Sequence, residues 1–287
     1  MAPTKEPMAR SGTTIMNLAL LSRHCLTVAL GGVLLLAAVT CPRAQNATAH
    51  VDITSPRMTE AELTRGQIEA MIAARPPGAV LDLADRSLNG LDLSGLDLGG
   101  ADLTRARLNR TKLVGAGLDG AKLDMAWGIE ADLSNASLRG ASLFQAQLPR
   151  ARLDGADLSD ARLIGTFEGG SLKGARLIRA NGAPDMRNQS MGITRTSFRS
   201  AMMQGADLTD AKLAWADLEF AKLQDAVLQG TDLTLARLGG ANLTGARLAG
   251  CNLTRADLAS TVLLHVSGRD SVVGWEYALN VKRAFLD

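Results

Sequence analysis

One stretch of the sequence, residues 206–263, reads ADLTD AKLAW ADLEF AKLQD AVLQG TDLTL ARLGG ANLTG ARLAG CNLTR ADLAS TVL. Leucine occupies position 208 and every fifth position to 263, and the residue two places before each leucine is small: nine alanines, Thr231, Thr261 and Cys251. Apolar residues recur every three or four positions in a helix and every two in a strand, so a period of five fits neither. A short period that never drifts predicts a solenoid, in which each unit buries its apolar side against its neighbours.

Individual units within this stretch resemble a known repeat. Ala206-Asp207-Leu208 and Ala241-Asn242-Leu243 each open a unit of the form A(D/N)LXX, which is the repeat of the pentapeptide repeat family. The resemblance implies an all-β solenoid, a right-handed quadrilateral β-helix with one pentad on each side and four pentads in each coil. It implies little about function, because the residues that define the repeat are the ones that build the fold.

The same phase begins at Leu83, long before the regular stretch. From Leu83 to Leu163, sixteen of the seventeen positions at fivefold spacing are leucine, and the exception is Gly128. Counting in fives from Leu83 to Leu263 gives 37 positions, which at four per coil corresponds to about nine coils. The leucine and the small residue two before it are expected to point inward, and the other three positions of each pentad are expected to face water.

The phase is disturbed between residues 166 and 192. Leu172 and Leu177 lie one residue early, and the regular phase returns at Ile193. From the last regular leucine to Ile193 there are thirty residues, or six whole pentads, so one deletion and one insertion cancel. We therefore predict one β-helix over residues 81–265, with a distorted coil and a loop near 166–192, rather than two domains.

Residues 50–80 precede the repeats and are predicted to form a linker and a capping helix. Met58–Arg75 reads as the helix, with Thr59 and Glu62 at the spacing of a capping box, and Pro76-Pro77-Gly78 ends it. Such a helix would cover the leucines and the open backbone edge of the first coil. The alternative is a helix that binds a partner.

Residues 266–287 follow the last repeat and form the most aromatic part of the chain, with Trp275, Tyr277 and Phe285. We predict a C-terminal cap over the last coil. The alternative is a self-association surface that gives a homodimer, because some members of the family that the repeats resemble dimerise end to end through this region.

Residues 1–49 are predicted to be a signal peptide or an N-terminal anchor. Arg23 precedes an apolar run over residues 25–41, and Ala47-Thr48-Ala49 offers a small-x-small cleavage site. Cleavage would yield an exported protein, periplasmic or extracellular. Without cleavage the run, which is just short of the ~20 residues that span a bilayer, would anchor the protein to the membrane; no other membrane contact is expected.

The charge balance argues against binding to nucleic acid. The chain has 31 Lys and Arg against 29 Asp and Glu, and subtracting the first fifty residues (four basic, one acidic) leaves 27 against 28. Sequence-independent nucleic-acid binding requires a basic footprint, so none is expected. Some members of the resembling family inhibit DNA gyrase by presenting an acidic rod that mimics DNA. With four pentads per coil, however, Asp217, Arg237 and Asp257 would stack with alternating sign and break an acidic stripe. A protein-binding inhibitor of this DNA-mimic type is therefore kept only as the alternative prediction.

No motif in the sequence indicates catalysis, a metal or a cofactor. The aspartates before many leucines belong to the repeat, and His50 and His265 are far apart without neighbouring ligand residues. Nucleophile elbows, phosphate loops and cysteine pairs are absent from the sequence. Beyond residue 49 the one remaining cysteine, Cys251, takes a small inward position, where a buried substitute for alanine is expected. We predict that the protein is not an enzyme and needs no cofactor.

Four outward aromatic residues are the candidate partner-binding residues: Trp127, Phe144, Trp215 and Phe220. Exposed tryptophans are typical interface anchors, and Trp215 and Phe220 end consecutive pentads and should occupy successive corners. The alternative is that they cover locally missing core, above all Trp127 beside Gly128. We predict that these aromatics and the disturbed interval form the binding surface of a structural or protein-interaction scaffold at the cell envelope, with a partner protein that the sequence does not identify.

Overall fold

From Asp82 onwards the chain forms stacked coils, and parallel β-bridges connect each coil to the next. The computed structural model describes residues 52–184 and 194–287, and most of its bridged residues lie twenty positions apart, as Asp102 and Lys122 do. Four such ladders run side by side, so each coil has four sides of one pentad. The four-sided β-solenoid is thereby confirmed, and the predicted signal or anchor at 1–49 lies outside the described residues.

We name the four sides face 1 to face 4, in the order in which the chain passes through them. Face 1 presents Asp82, Asp102, Lys122, Ser142, Arg162, Asn181, Lys212, Asp232, Asn252 and Val273. Face 2 presents Ser87, Arg107, Trp127, Gln147, Thr166, Ser197, Asp217, Arg237, Asp257 and Leu279. Face 3 presents Asp92, Lys112, Asp132, Arg152, Ser171, Met202, Lys222, Asn242 and Val262. Face 4 presents Asp97, Gly117, Ser137, Asp157, Arg176, Asp207, Val227, Arg247 and Ser267.

Each pentad turns two side chains into the interior, as predicted. Leu143 and Ala141 are both fully buried, and nearly every leucine and small residue of the repeat is buried likewise. The backbone is satisfied by neighbouring coils: Leu143 N donates to Arg162 O at 2.8 Å, and Ser142 N donates to Ala121 O at 2.9 Å. Because each buried leucine contributes ~1.5–3 kcal/mol, the stacked leucines can take the place of a globular core.

The fifth residue of each standard pentad forms a corner with left-handed backbone. Its φ is 65° at Gly205 and 57° at Gln145, a region in which a β-carbon costs ~1–2 kcal/mol. The turn is supported by the aspartate before the leucine. Asp132 Oδ1, for example, accepts a hydrogen bond of 3.0 Å from Ser134 N. The repeated aspartates therefore build turns, which explains why they recur at this position.

The coil after Leu163 differs from a standard coil at one corner, where the predicted deletion lies. One residue is missing from the corner between face 1 and face 2, because three residues rather than four separate Arg162 from Thr166. Beyond that corner Leu172 and Leu177 are fully buried, as is Phe167. The leucines lie one position early because the corner is shorter, and the sides of the coil keep their length.

An insertion at the next passage through the same corner restores the phase. Fifteen residues separate Asn181 on face 1 from Ser197 on face 2, which is eleven more than in a standard corner. Phe198 and Met203 are fully buried in the predicted phase. The predicted loop falls largely on residues 185–193, which the structure does not describe and which include Ile193. The ladders of all four faces continue on both sides of it, so the repeats form one β-helix.

The N-terminal segment has two helices, α1 (Pro56–Thr59) and α2 (Arg65–Ala74), where the sequence predicts one over 58–75. The predicted capping box of Thr59 and Glu62 is wrong, because Thr64 and Gln67 form it at the start of α2. Neither helix, nor any other in the described ranges, has the length and apolar character to cross a membrane.

Glu62 separates the two helices because it pairs with the first coil. Its N–H donates to Ser87 O at 2.8 Å, which holds this part of the chain extended. Helix α2 then packs over the start of the β-helix, where Ile68 is fully buried and Met71 and Ile72 are half-buried against the leucines. Helix α2 thus shields the leucines of the first coil from water.

The C-terminal segment continues the coil with a longer unit. Ser267, Val273, Leu279 and Phe285 stack on the preceding coil at a spacing of six residues. The corners contain short 3₁₀ helices (Arg269–Ser271, Trp275–Tyr277 and Val281–Arg283), and β1 (Val262–Leu263) pairs in parallel with β2 (Phe285–Leu286). Several apolar side chains of this coil pack against the core: Val266, Val272, Trp275, Ala278, Val281 and Leu286.

Candidate interaction surface on face 2

All four candidate aromatics lie on face 2 or at its two corners. Trp127 stands on face 2 itself. Phe144 and Trp215 lie at the corner that leads from face 1 to face 2, and Phe220 lies at the corner that leads from face 2 to face 3. The four aromatics thus share one side of the rod, in two groups, with Thr166 and Ser197 of face 2 between the groups.

The first group is Trp127 and Phe144. Trp127 is half-buried and lines a cleft, while Phe144 carries the guanidinium of Arg162 over its ring at 4.1 Å. The alternative interpretation, that Trp127 covers core missing beside Gly128, stays a prediction, but a side chain of the next coil also reaches this space. A β-carbon at Gly128 would lie 2.4 Å from Leu148 Cδ2, so the leucine of the next coil occupies that space.

The second group is Trp215 and Phe220. Both residues adopt left-handed backbone, with φ of 66° and 60°, which confirms that they occupy successive corners. The Phe220 ring lies over Gly240, where a β-carbon would come within 2.7 Å of Phe220 Cδ1, and 54% of the residue stays exposed. Arg199 lies on the ring, with 5.1 Å between its Cζ and the ring centroid. Phe220 is therefore held in place from two sides while one side of its ring faces solvent.

Four charged residues on face 2 and at its corner with face 3 form a network that the sequence predicts only in part. Arg237 Nη1 lies 3.1 Å from Asp217 Oδ2, and Arg237 also pairs with Glu219. Arg199 pairs with Glu219 and lies 3.9 Å from Asp217. The twenty-residue stacking rule predicts the contact of Asp217 with Arg237, and applied to corner positions it would also have found Arg199 beside Glu219. We call Trp215, Phe220 and these four charged residues the aromatic–ionic patch.

Opposite charges also alternate along other parts of the rod. Asp92, Lys112, Asp132 and Arg152 stack in sequence on face 3. At the corner after face 2, Glu130 lies between Arg110 and Arg150, at 3.0 Å from each. Hydrogen bonds from Arg110 and then Arg150 lower the pKa of Glu130 below its ordinary value. Stacked opposite charges cancel one another's field, so no continuous acidic stripe forms on these ladders.

The repeat itself identifies the family. The family model described as pentapeptide repeats matches in eight copies, over residues 87–124, 131–167, 211–248 and 236–267. The chain belongs to the pentapeptide repeat family. Residues 168–210, which contain the insertion, lie outside the matched ranges.

Solved structures of other pentapeptide repeat proteins are similar to the chain. HetL from the cyanobacterium Nostoc, involved in heterocyst differentiation regulation, is 29% identical, with 78% of this chain and 94% of HetL covered and a TM-score of 0.47. QnrB1, a plasmid-mediated fluoroquinolone resistance protein, is 16% identical over 68% of this chain and 92% of its own, with a TM-score of 0.48. A pentapeptide repeat protein of the Arabidopsis thaliana thylakoid lumen is 22% identical over 61% and 70%, with a TM-score of 0.19. No curated protein matches the chain.

In the part of the chain that the structure describes, no group of three or more His, Cys, Asp or Glu side chains is placed to hold a metal ion. Cys251 is fully buried, and burial raises the pKa of its thiol to about 12, so it stays protonated and unreactive. The aromatic–ionic patch offers instead what interfaces use, namely anchored aromatic rings around guanidinium groups.

Proposed function

We propose that this pentapeptide repeat protein is an exported, non-enzymatic protein-binding scaffold, and that the aromatic–ionic patch is its contact surface. The scaffold would be a right-handed rod of about nine coils, covered at its ends by helix α2 and the C-terminal segment. One observation carries the proposal: Trp215 and Phe220 stand at the two corners of a single pentad side, and a compact network of four charges lies on that side and at the corner of Phe220.

The patch has the features that favour tight contact with a protein. Exposed aromatic rings supply large apolar area at a low cost in side-chain entropy, because they rotate about only two bonds. Here Phe220 is additionally held by Gly240 and Arg199, so less freedom remains to be lost on binding. The two guanidinium groups and two carboxylates neutralise one another, and a network that is already paired can be covered by a partner without leaving a single charge unpaired.

Export is the second part of the proposal and has support from the sequence alone. The basic Arg23, the apolar run over residues 25–41 and the Ala47-Thr48-Ala49 site together have the order of a secretory signal. Retention of the run would leave the protein anchored to a membrane through residues 25–41. A fold that relies on stacked leucines rather than disulfides suits either case, since the described cysteine, Cys251, is free and buried.

A DNA-mimic inhibitor is the weaker alternative. Such a protein needs a continuous negative stripe, whereas Asp217 and Asp257 stack on either side of Arg237 on face 2. Face 3 alternates in the same way. The aromatic–ionic patch, by contrast, contributes no net charge, so recognition there would rest on the rings and on shape.

Site-specific photo-crosslinking tests the proposed contact surface. A photoreactive p-benzoylphenylalanine is placed at Phe220 or at Gln229, an exposed residue on the far side of the same coil, in cells that make the full chain. We expect a protein adduct of defined mass from position 220 in the envelope or external fraction, and none from position 229. Trp215→Ala should lower the yield of the adduct from position 220 at least tenfold. Adducts that are equal at both positions, or that persist in Trp215→Ala, would place the contact elsewhere, and a purely cytoplasmic protein would refute export.

A further inference from the structure

A cleft of about 490 Å³ lies between the N-terminal segment and the first coils, on the side of faces 1 and 2. This volume is within the ~300–1,000 Å³ typical of small-molecule sites. The cleft is lined by three apolar side chains, five charged side chains and one serine, and no pattern in the sequence predicts that they meet. The lining residues are Asp52, Ser55, Arg57, Met58, Asp85, Arg105, Arg107, Met125 and Trp127.

The N-terminal wall of the cleft is fixed by buried side chains. Asn89 Nδ2 donates to Arg57 O at 3.2 Å, and Asn109 Nδ2 donates to Met58 O at 3.2 Å. Both asparagines are buried, and Ser87 Oγ donates to Glu60 O close by. Because buried amides keep their partners, this wall has one position and the cleft is preformed.

The carboxylates of the cleft already have donors. Asp85 accepts two hydrogen bonds from Arg105, at 2.7 and 2.6 Å, in the bidentate geometry that is strongest for this pair. Asp52 accepts from Thr54 N at 2.9 Å and from Thr54 Oγ1 at 2.6 Å. The cleft therefore offers a ligand few free acceptors.

Two guanidinium groups of the cleft keep donors to spare. Arg107 pairs with Glu62 through Nη2 at 2.9 Å, but its Nε is buried and has no acceptor among the described residues. Arg57 is exposed and forms no ion pair within 52–184 and 194–287. Spare donors without spare acceptors select an anionic oxygen ligand.

We propose that this cleft binds an apolar carboxylate, of which a medium-chain fatty acid is the simplest form. The alkyl chain lies along Trp127, Met58 and Met125, where two methionines adapt to an unbranched chain. The carboxylate lies at the mouth against Arg57, with Arg107 next to it. The site is separate from the aromatic–ionic patch and does not depend on it.

Fluorescence of Trp127 tests the site directly. The full chain has three tryptophans, so Trp215→Phe with Trp275→Phe leaves Trp127 as the reporter. This protein is titrated with octanoate and with octanamide, which has the same chain but no charge. We expect a saturable change with octanoate at a concentration at least tenfold lower than with octanamide.

Two arginine variants in the same background separate the cleft from surface charge in general. Arg57→Gln should raise the half-saturating octanoate concentration at least tenfold and remove the preference over octanamide. Arg110→Gln, which changes an exposed arginine outside the cleft, should leave both titrations unchanged. The proposal is overturned by the absence of a saturable change with octanoate, by equal affinity for the two compounds, or by equal effects of the two arginine variants.

Discussion

Leu143→Asp is expected to lower the melting temperature by more than ~10 °C. Leu143 is fully buried and lies between the leucines one coil before and after it, so aspartate would put a carboxylate into a column of apolar side chains. The change loses ~1.5–3 kcal/mol of leucine burial and adds the cost of burying a polar or charged group. Together these exceed ~4 kcal/mol, the range of the most damaging single substitutions, and ~1 kcal/mol corresponds to ~2–4 °C in a chain of this size.

Gln145→Asp is the matched control for this prediction. It introduces the same residue in the same pentad, at a corner with φ of 57° where aspartate already occurs in other coils, as at Asp160 and Asp210. We expect its melting curve, followed by circular dichroism, to stay within ~2 °C of the wild type, because Gln145 is only half-buried and aspartate is among the few residues that tolerate left-handed backbone. A melting temperature of Leu143→Asp equal to that of Gln145→Asp would contradict the assignment of inward positions.

Gly165→Ala is expected to cost ~1–3 kcal/mol, the usual penalty for forcing an extra group into a packed site. Gly165 forms the shortened corner before Thr166. A β-carbon there would lie 2.7 Å from Ala146 O and 3.1 Å from Leu143 O. Both are backbone atoms, and Ala146 O accepts the hydrogen bond from Thr166 N at 2.9 Å. The coils would have to separate locally, because neither oxygen can rotate away.

Gly117→Ala gives the opposite expectation at a standard position. A β-carbon at Gly117 on face 4 would meet Asp97 Oδ1 at 3.5 Å, which is ordinary contact. Without a clash, alanine reduces the freedom of the unfolded chain and should stabilise by ~0.4–1 kcal/mol. Urea unfolding of both variants measures the difference. Equal free energies of unfolding for Gly165→Ala and Gly117→Ala would show that the shortened corner is not as tight as described.

The repeated part of this fold could be predicted from the sequence because its rule is local and exact. A period of five fixes which side chains point inward, and twenty-residue stacking fixes which residues become neighbours, as with Lys212 beneath Asp232. The placement of Phe198 and Met203 in the core also followed from counting. Every one of these inferences needs only the spacing of residues along the chain.

The irregular parts could not be predicted in the same way. A leucine one position early fits a shortened corner and a distorted side equally well, and only the partners of Arg162 and Thr166 decide between them. The position of α2 depended on Glu62, whose N–H pairs with Ser87 O instead of joining a helix. That hydrogen bond forms only when the first coil is folded, so the sequence around Glu62 does not predict it.

The candidate surface was foreseen in part. The aromatics were chosen as outward residues, and the structure places all of them at face 2, although it separates Trp127 from Trp215 and Phe220. Sequence reasoning missed Arg199 and Glu219 because they are corner residues, which vary most within the repeat. It missed the cleft because Met58 and Arg57 reach Trp127 only through buried contacts with Asn89 and Asn109.

The most direct test of the account is a distance across the insertion, because both aromatic groups share face 2 only if the β-helix is unbroken there. Lys122 and Lys212, exposed on face 1, are four coil steps apart through Ser142, Arg162 and Asn181. Spin labels at these lysines, in a chain with Cys25, Cys41 and Cys251 replaced by alanine, should give ~19 Å between the backbones at ~4.8 Å per step.

Asp82 and Arg162, four steps apart without an insertion, are the control pair. Deleting residues 184–194 joins Ala183 to Arg195 and restores a standard corner, so the distance between Lys122 and Lys212 should not change in that variant. For one continuous β-helix we expect the same narrow distance distribution for the control pair, for Lys122 and Lys212 in the wild type, and for the same lysines in the deletion variant. A wild-type distance between the lysines that is clearly longer than the control distance, or that shortens to the control distance only after the deletion, would contradict one continuous β-helix.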